Sequence, residues 1–458
     1  MESMLLSEIA AMVSSETAIT SDVKIKSVST DSRTISEGAL FIPIRGERFN
    51  GYDFIEKAAE NGAAAVLNDT GRTLDTDLPV LDVLDTRAAL CDIAEGYKKK
   101  FNVKTVGITG SVGKTTTKEM IAAILETRYK TLKNEGNFNN DIGLPHTILK
   151  MDSSYEAAAL EMGMSALGEI SRLSRASAPD VAVITTIGVA HIEYLKTREN
   201  ILKAKLEILD GLKKGGSLIL NADEPLLWNL REKLPVKTVY FGIENEKADI
   251  KAKDIHVGED VTTFTLSGDG ISTDITLYAL GVHQVYDAVA AAGAAMELGF
   301  KEDEIKKGLA DFRNVGMRQK IYESRGITII EDCYNAGPES MMAALTLLSG
   351  INAKGRKIGA LGGIRELGQY HVTKHEECGE KAAESADMLF LFGEGAEYYK
   401  SGAVKAGMSE DKIFIFDDRE TLANALSSEA KAGDAVLFKG SRFMKMEECL
   451  KLFLREDQ

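Results

Sequence analysis

The amino-acid sequence predicts an α/β protein of three domains. Apolar runs of strand length alternate with helical stretches through almost the whole chain, which is typical of parallel sheets covered by helices. The 458 residues are also too many for one compact core, since a domain usually contains roughly 100–200 residues. We place the three domains at residues 1–84, 85–314 and 315–458.

The first domain is predicted to be a small α/β unit around one helix, in YDFIEKAAENG, which ends at Gly62. Short strands are expected in KIKSVSTDSR, ALFIPIRG, AAAVLN and PVLDV. A helical connector, TRAALCDIAEGYKKKF, leads into the second domain.

The second domain has the element order of a doubly wound parallel sheet. Strands are expected in KTVGITG, EAAALEMG, DVAVITTIG, GSLILNAD and KTVYFG. Further along, TTFTLS and STDITLYAL favour antiparallel strands, and HQVYDAVAAAGAAMELG favours an alanine-rich helix.

The third domain repeats this alternation. Strands are expected in GITIIED, RKIGALGG, DMLFLFGEG, KIFIFDD and DAVLFKGSR. Each of these segments carries Gly or Asp where its apolar run stops, at the carboxyl end of a strand, where ligands bind in open α/β sheets.

The composition argues against several classes of protein. Acidic residues outnumber basic ones by 70 to 55, and the resulting charge of −15 disfavours general nucleic-acid binding, which needs a basic surface. A local basic pocket for a small phosphorylated ligand is compatible with this charge. No apolar run approaches the ~20 residues that span a bilayer, and the N-terminus carries acids where a signal peptide needs bases. The four cysteines form no CxxC pair, so we expect reduced thiols and a cytoplasmic protein.

The segment GITGSVGKTTTKEM, residues 107–120, predicts a phosphate-binding loop between a strand and a helix. Backbone amides and the start of the helix would bind an anion, Lys114 would reach the terminal phosphates, and Thr115 would bind magnesium. The usual pattern has a glycine where Ile108 stands, which favours a variant loop. The alternative is a glycine-rich turn with a chance lysine.

Two further candidates follow buried runs. Glu161 ends one run, where an acid would meet magnesium, and His191 follows another. Each alone fits a core or capping residue, but three groups at three parallel strand ends favour a site. The polar stretch at residues 136–145, GNFNNDIGLP, is either a surface loop or a lining of the phosphate site.

His371, His375 and Cys378 share one face of a predicted helix. A zinc site would need a fourth ligand with suitable spacing, and none lies nearby. The face is therefore interpreted as helix surface between domains.

Together, these motifs resemble those of the Mur ligases. The family's segments occur in order along essentially the whole chain, from STDSRTISEGALFIPIRG through GITGSVGKTTT, GNFNNDIGLP, EMG, GVAHIEYLKTRENILKAKLEI, NADE, EDCYNAGPES and ELG to FKGSR. No single segment is specific, but their joint order is. Within the family, the order matches the member that joins D-alanyl-D-alanine to UDP-N-acetylmuramoyl-tripeptide.

The resemblance implies a UDP-binding first domain, a central P-loop ATPase domain and a Rossmann-like third domain. It implies ATP-dependent amide synthesis through an acyl phosphate, in cytoplasmic peptidoglycan precursor synthesis. The implied partners are those two small substrates alone, and we expect a monomer. Whether the third peptide residue is lysine or diaminopimelate stays open.

The family's shorter loop, GxxGK[ST][ST], accounts for the missing glycine. By resemblance, the ATP-binding residues are Gly110, Ser111, Val112, Gly113, Lys114, Thr115, Thr116, Asn139, His283, Gln284, Asp287, Arg318 and Asp332. The implied catalytic residues are Lys114, His191, Lys205 and Arg318.

The resemblance also implies two magnesium positions. Thr115 and Glu161 hold one, His191 helps to hold the second, and Lys205 is a further metal ligand. Lys205 matches a lysine that the family carbamylates, because a carbamate supplies an anionic oxygen where an ammonium would repel the metal. Lys203 is the alternative, and the spacing of fourteen residues from His191 favours Lys205.

The implied substrate residues lie in both outer domains. Asp31, Ser32 and Arg33 match contacts to uridine diphosphate. Facing the cleft from the third domain are Tyr334, Asn335, Lys439 and Ser441.

The chain departs from the family pattern at several positions. Gln284 and Asp287 replace asparagines of HNxxN, which puts fine nucleotide discrimination in doubt. The other departures leave the reaction type unchanged: Gly363, Arg365, Cys333 and Tyr52.

Other functions fit the sequence less well. The preceding ligase of the series has a DNPR-type motif that is absent here, and folylpolyglutamate synthase lacks the first domain. A GTPase switch would need an NKxD-like motif, which is not found. A noncatalytic relative would be expected to lose Lys114, Glu161 or Lys205, and all three are present.

Overall fold

The computed structural model describes residues 1–19, 21–46 and 49–455. Its strands form sheets of two, four, nine and six members, and the three larger sheets lie within residues 27–82, 104–277 and 320–439. The predicted three-domain α/β architecture is confirmed, while the domain limits at 84/85 and 314/315 stay predictions. No helix of the described residues is long and apolar enough to cross a membrane.

The N-terminal part contains a parallel four-stranded sheet, ordered β3-β4-β5-β6, and an antiparallel pair, β1-β2. Its elements are β1 Met4–Leu5, α1 Leu6–Met12, β2 Lys24–Ile25, β3 Ser27–Ser29, β4 Ala39–Phe41, α2 Ile55–Glu60, β5 Ala63–Asn68 and β6 Val80–Asp82. The prediction of a single helix was wrong, because α1 also forms and buries Leu6, Ile9 and Ala10.

The central part is built on the nine-stranded sheet, ordered β15-β14-β13-β12-β11-β10-β7-β9-β8. Its elements are α3 Thr86–Lys98, β7 Lys104–Thr109, α4 Lys114–Leu125, β8 Thr131–Lys133, α5 Gly143–Leu149, β9 Ala157–Glu161, α6 Glu169–Ser177, β10 Val181–Ile184, α7 Ile192–Leu195, α8 Arg198–Leu206, β11 Ser217–Asn221, α9 Pro225–Trp228, β12 Lys237–Gly242, β13 Ile250–Val257, β14 Thr262–Gly268, β15 Ile271–Leu277, α10 Val282–Glu297 and α11 Glu302–Asp311. The strands β8 and β13 were not predicted from the sequence.

Helices cover both faces of this sheet, as its continuous apolar strands predicted. In β10, Val181 and Val183 pack in the core shared with α4 and α10. The alternate residues, Ala182 and Ile184, pack in the core that contains residues of α3, α5 and α6. The central parallel strands are therefore buried on both sides, and only residues at their ends are accessible to a ligand.

The C-terminal part is a six-stranded sheet, ordered β16-β17-β21-β18-β19-β20, in which only β16 runs antiparallel to its neighbour. Its elements are β16 Lys320–Ser324, β17 Ile327–Asp332, α12 Pro338–Gly350, β18 Lys357–Gly362, α13 His371–Ser385, β19 Met388–Phe392, α14 Ala396–Lys405, β20 Ile413–Phe416, α15 Arg419–Glu429, β21 Ala435–Lys439 and α16 Met446–Phe453. The short strand β16 was not predicted.

Candidate active site

The phosphate loop, residues 110–113, leaves β7 and enters α4 with no room for side chains at its two glycines. Gly110 and Gly113 have φ angles of 152° and 88°. A Cβ atom on Gly110 would lie 1.9 Å from Thr185 Oγ1, and one on Gly113 would lie 2.3 Å from Asp287 Oδ1. Close packing against Thr185, just after β10, and against Asp287 of α10 therefore requires glycine at both positions.

The loop is also anchored by hydrogen bonds to the end of β10. The backbone N–H of Ser111 donates to Thr186 O at 2.9 Å, and the Thr185 hydroxyl donates to Val112 O. The side-chain oxygen of Ser111 is buried without a hydrogen-bond partner among the described residues. These contacts fix the start of α4, where free amides favour an anion.

Lys114 folds back over this loop, as a phosphate-binding lysine would. Its Nζ donates to Gly110 O at 2.9 Å. Burial lowers the pKa of Lys114; the nearby charge of Glu161 opposes this shift, and that of Arg318 adds to it. The pKa of Lys114 therefore depends on charged groups of both the central part, Glu161, and the C-terminal part, Arg318.

Glu161 joins three predicted segments of the site. Its Oε2 accepts a hydrogen bond from the Thr115 hydroxyl at 2.7 Å, and its Oε1 accepts one from Asn139 Nδ2 at 2.8 Å. The parallel pairing of β7 with β9 places Ile108 opposite Glu161, so the strand register brings the acid beside the loop. The polar stretch at 136–145 therefore lines this site through Asn139.

Asn134, which was not predicted as a site residue, holds the backbone of Glu161 in place. Asn134 Oδ1 accepts from the Glu161 N–H at 2.9 Å, and Asn134 Nδ2 donates to Glu161 O at 3.0 Å. The fully buried Lys118 in turn donates to Asn134 O at 2.6 Å and pairs with Glu119. Asn134 lies in a loop before the predicted segment, and nothing in its spacing distinguishes it from a surface asparagine.

The donor set fits magnesium held jointly with a nucleotide. The described residues contain no cluster of three or more His, Cys, Asp or Glu side chains able to hold a metal. Mg²⁺ commonly takes only one or two carboxylates and completes its shell with phosphates and water. The Glu161 carboxylate beside the Thr115 hydroxyl supplies the oxygen ligands that such a site needs.

Lys205 is buried at the end of α8, whereas Lys203 is exposed. Burial lowers the pKa of Lys205 well below its usual range, and the charge of Lys114 lowers it further. The packing therefore distinguishes the two lysines that the sequence left as alternatives.

His191 lies on the surface that the central part presents to the C-terminal part. It precedes α7 in a left-handed conformation with φ 62°, and its Nδ1 lies 2.5 Å from Glu366 Oε2. This close contact with His191 lowers the pKa of Glu366. Among the described residues, no hydrogen bond or ion pair joins His191 to Glu161.

Gln319 links the two parts beside the phosphate loop and was not predicted. Its Oε1 accepts from Gln284 Nε2 at 2.6 Å and lies 2.7 Å from His283 Nε2. The next residue along α10 that departs from the family pattern, Asp287, instead accepts from the Thr117 hydroxyl at 2.9 Å. Burial raises the pKa of Asp287 to about 8. Gln284 and Asp287, the two departures from the family pattern in α10, thus each form a hydrogen bond with another side chain of the protein.

Arg318 stacks on Tyr334, with its Cζ atom 3.9 Å from the ring centroid. The next residue, Gln319, contacts Gln284 and His283 at the start of α10, so Arg318 lies where the C-terminal part meets the central part. Burial raises the pKa of Tyr334. These two side chains form the C-terminal wall of the site.

Asp332 and Lys439 form a buried ion pair at the ends of β17 and β21. The strand register places them opposite each other, and Lys439 Nζ lies 2.5 Å from Asp332 Oδ2. Lys439 also donates to Asn335 O at 3.2 Å, while Asn335 Oδ1 accepts from the Arg442 N–H at 3.0 Å. The hydroxyl of Ser441 is buried without a partner in the described chain. The predicted cleft residues are therefore gathered at one sheet edge.

The N-terminal trio lies apart from these contacts. Arg33 is 85% exposed and pairs with Asp31, whose pKa this contact lowers to about 2. Ser32 is buried, and its carbonyl accepts from Asn61 Nδ2 at 2.7 Å. None of the hydrogen bonds of these three residues reaches the phosphate loop in the described structure.

The His371–Cys378 face does not form a zinc site in the described structure. His375 and Cys378 are buried within the C-terminal part, where α13 packs against α12 and α14. His375 Nε2 accepts from the Ile364 N–H at 2.9 Å, and its Nδ1 lies 2.6 Å from His371 O. Burial lowers the pKa of His375 to about 4. Both ring nitrogens of His375 have protein partners, so neither is available to a metal ion. The interpretation of this face as an interdomain surface was wrong at His375 and Cys378, because both side chains are buried within the C-terminal part.

The remaining departures have local structural reasons. A Cβ on Gly363 would lie 1.7 Å from Glu394 O, so no acid fits there. Arg365 stacks on Phe443, with Cζ 3.5 Å from the ring centroid. Tyr52 donates to Asp69 Oδ1 at 2.7 Å, and Cys333 donates to Phe438 O at 3.4 Å.

Comparison with known proteins agrees with this geometry. Three family descriptions match successive parts of the chain: "Mur ligase family, catalytic domain" at residues 24–98, "Mur ligase middle domain" at 108–295, and "Mur ligase, glutamate ligase domain" at 317–442. A UDP-N-acetylmuramoyl-tripeptide–D-alanyl-D-alanine ligase of Bacillus subtilis (strain 168) is 42% identical over 430 residues, which cover 93% of each chain.

Solved structures extend the similarity to three dimensions. A crystal structure of MurF from Acinetobacter baumannii superposes with a TM-score of 0.91, at 29% identity, over 99% of both chains. MurF ligase of Thermotoga maritima in complex with ADP gives a TM-score of 0.83, at 32% identity, over 93% of this chain and 96% of the other. The predicted family is confirmed: this chain belongs to the Mur ligase family.

Proposed function

We propose that the protein is an ATP-dependent ligase that joins D-alanyl-D-alanine to UDP-N-acetylmuramoyl-tripeptide in peptidoglycan precursor synthesis. The observation that carries this proposal is the meeting of two domains at one phosphate loop. Lys114 and the Thr115–Glu161 pair come from the central part. From the C-terminal part, Gln319, the residue after Arg318, contacts Gln284 and His283 of α10. The relative of Bacillus subtilis is named for this reaction.

The first step activates the tripeptide carboxylate. One carboxylate oxygen attacks the γ-phosphorus of ATP, the bond from that phosphorus to the bridging oxygen breaks, and ADP leaves. The loop amides and Lys114 orient the phosphates, while Arg318 balances charge that spreads over the transferred group. The product is an acyl phosphate, which has a far better leaving group than a free carboxylate.

The second step forms the amide. The amine of D-alanyl-D-alanine attacks the activated carbonyl carbon, inorganic phosphate leaves, and the amine loses a proton. The Asp332–Lys439 pair, Asn335 and Ser441 lie together at the edge of the C-terminal sheet, where the second substrate would enter. Tyr334 directly precedes Asn335 in the chain, and its ring stacks on Arg318.

Glu161 and Thr115 would hold a magnesium ion, and His191 and Lys205 would contribute to a second position. Bound magnesium neutralises phosphate charge and orients the γ-phosphate for in-line transfer. Asn139 supports Glu161 by donating to its second carboxylate oxygen. Asn134 fixes the backbone of the same residue.

Lys205 would act as a carbamate. A neutral amine is the form that adds carbon dioxide, and burial favours the neutral form of Lys205. The product would carry a negative charge next to Lys114 and offer oxygen atoms to the metal. Exposed Lys203 lacks this environment.

The exposed Arg33 and its partner Asp31 would face the uridine diphosphate of the first substrate. A guanidinium suits diphosphate oxygens because it donates several hydrogen bonds in one plane. We further propose that the protein acts as a monomer in the cytoplasm. No helix of the described chain could span a membrane, and the reaction needs only the three small substrates.

Phosphate release with different amines tests this function. The full chain is supplied with ATP, magnesium and UDP-N-acetylmuramoyl-tripeptide, and then with D-alanyl-D-alanine, single amino acids or no amine. We expect sustained release only with D-alanyl-D-alanine, and none from a Lys114→Met variant. Release with another amine but not with D-alanyl-D-alanine would refute the proposed substrate.

A further inference from the structure

Two carboxylates of the C-terminal part hold the segment of the central part that carries His191. Glu339 Oε1 accepts from the Val189 N–H at 2.9 Å, and Glu366 Oε2 lies 2.5 Å from His191 Nδ1. The backbone adds a third contact, since the Glu193 N–H donates to Glu366 O at 3.2 Å. The segment is thus fixed from the opposite domain.

The backbone adopts an unusual conformation on both sides of this contact. His191 and Glu366 have φ angles of 62° and 64°, in a region that non-glycine residues seldom adopt. Gly368 lies so close that a Cβ there would be 3.1 Å from Glu193 Cα. The sequence segment ELG thereby gains a physical explanation: its glutamate meets His191 and its glycine permits the approach.

We propose that Glu366 is a positioning residue that prepares His191 to bind metal when the domains meet. The approach of Glu366 Oε2 to within 2.5 Å of Nδ1 favours the tautomer that carries its proton on Nδ1, which leaves the lone pair of the imidazole on Nε2, the other ring nitrogen. A carboxylate partner fixes both the tautomer and the orientation of a metal-binding histidine. The inference rests on the proposed metal role of His191 and adds that the C-terminal domain completes this ligand.

Glu339 provides a contrast within the same contact. It holds only the backbone of Val189, and a Cβ on Gly188 would lie 2.4 Å from its Oε1. Its loss would loosen the segment without removing the partner of the imidazole. We therefore expect Glu339 to affect domain docking more than the metal bond itself.

Manganese binding tests the proposal independently of turnover. The full-length protein is loaded with Mn²⁺ and a non-hydrolysable ATP analogue, and electron paramagnetic resonance measures bound metal and its coupling to histidine nitrogen. Removal of a carboxylate that supports a metal-bound histidine typically weakens metal affinity about 10- to 100-fold. We expect this loss at one metal position, with an altered nitrogen coupling, in Glu366→Ala.

Two further variants complete the comparison. Glu366→Gln keeps an oxygen acceptor and should recover part of the affinity. Glu397→Ala removes an exposed glutamate of the same domain and should match the unmodified protein. Melting temperatures of all variants show whether an effect reflects a loss of folding.

The outcomes separate the two levels of the inference. Unchanged metal affinity and unchanged nitrogen coupling in Glu366→Ala would overturn the role of Glu366 while leaving the ligase function intact. The absence of any nitrogen coupling in the unmodified protein would instead overturn the proposed metal role of His191, and this inference with it.

Discussion

The phosphate loop and the domain boundary both depend on contacts between polar and charged side chains, but these contacts arise within one sheet at the loop and between two domains at the boundary. At the loop, Thr115, Asn139 and Glu161 meet because β7 and β9 are neighbours in one sheet. At the boundary, Gln284 meets Gln319 and His191 meets Glu366 only because two domains lie together. We therefore expect the central fold to supply most of the nucleotide contacts, and ligation to depend on the arrangement of the domains.

The largest expected effect comes from the loop. Lys114→Met removes the ammonium that reaches the terminal phosphates, and we expect ligation to fall by about three orders of magnitude or more. Steady-state phosphate release measures the loss. As a matched control, Lys118→Met lies one turn further along α4 and should lower stability chiefly through Asn134. Ligation by Lys114→Met within tenfold of the unmodified protein would contradict the assignment.

The second effect concerns the buried lysine. Lys205→Ala removes the proposed carbamate and should reduce ligation about 100- to 1,000-fold, the scale of one lost electrostatic contact in an active site. A short carboxylic acid such as acetate should restore part of the activity by supplying oxygen atoms. Lys203→Ala, at an exposed position, should behave as the unmodified protein does. Full activity of Lys205→Ala without added acid would remove this residue from the site.

The third effect concerns the ion pair between Lys439 and Asp332 at the C-terminal side of the cleft. Lys439→Met leaves Asp332 buried without its partner, and such a loss typically costs about 3–5 kcal/mol of stability. Denaturant unfolding measures the change, and the double variant Asp332→Asn/Lys439→Met should recover most of it. If Lys439→Met unfolds at the same denaturant concentration as the unmodified protein, the ion pair is not structural.

A smaller effect is expected at Gln319. Gln319→Leu removes the acceptor shared by Gln284 and His283, which should misplace Arg318 and lower kcat about tenfold. Because the phosphate loop is intact, the affinity for ATP should stay the same. Calorimetric ATP binding and turnover separate the two quantities. A loss of ATP affinity equal to the loss of kcat would place Gln319 in the nucleotide site instead.

The last expected effect concerns stability alone and is its dependence on pH at Asp287. Burial raises the pKa of its carboxyl to about 8 in the folded protein, so between about pH 4 and pH 8 the folded state binds more protons than the unfolded state. Stability therefore falls as pH rises through this window, by up to about 1.4 kcal/mol per pH unit, and is constant above it.

Asp287→Asn should lack this slope, because an amide does not titrate. Urea unfolding at pH 6 and pH 8 measures the difference between the two proteins. Asp311→Asn, at an exposed position, should retain the slope of the unmodified protein. If the stability of Asp287→Asn changes with pH as the stability of the unmodified protein does, then the pKa of the Asp287 carboxyl is not raised in the folded protein.

Sequence alone predicted the contacts that follow from local pattern. Ile108 and Lys114 could be placed because a strand, a turn and a helix follow each other in the chain, and Glu161 because it ends an apolar run. Asn134 escaped prediction because it lies in a loop without a distinctive pattern, and Gln319 and Glu366 because their partners lie in another domain. The strands β8, β13 and β16 were missed because short or charged segments give weak alternation.

The transfer of oxygen from substrate to phosphate tests the central claim most directly. UDP-N-acetylmuramoyl-tripeptide labelled with ¹⁸O in its terminal carboxylate is incubated with the protein, ATP, magnesium and D-alanyl-D-alanine, and the released phosphate is analysed by mass spectrometry. An acyl phosphate requires that each phosphate carry one oxygen from the carboxylate. Release of unlabelled phosphate alongside labelled peptide product would show that water receives the phosphoryl group, and would contradict the proposed reaction.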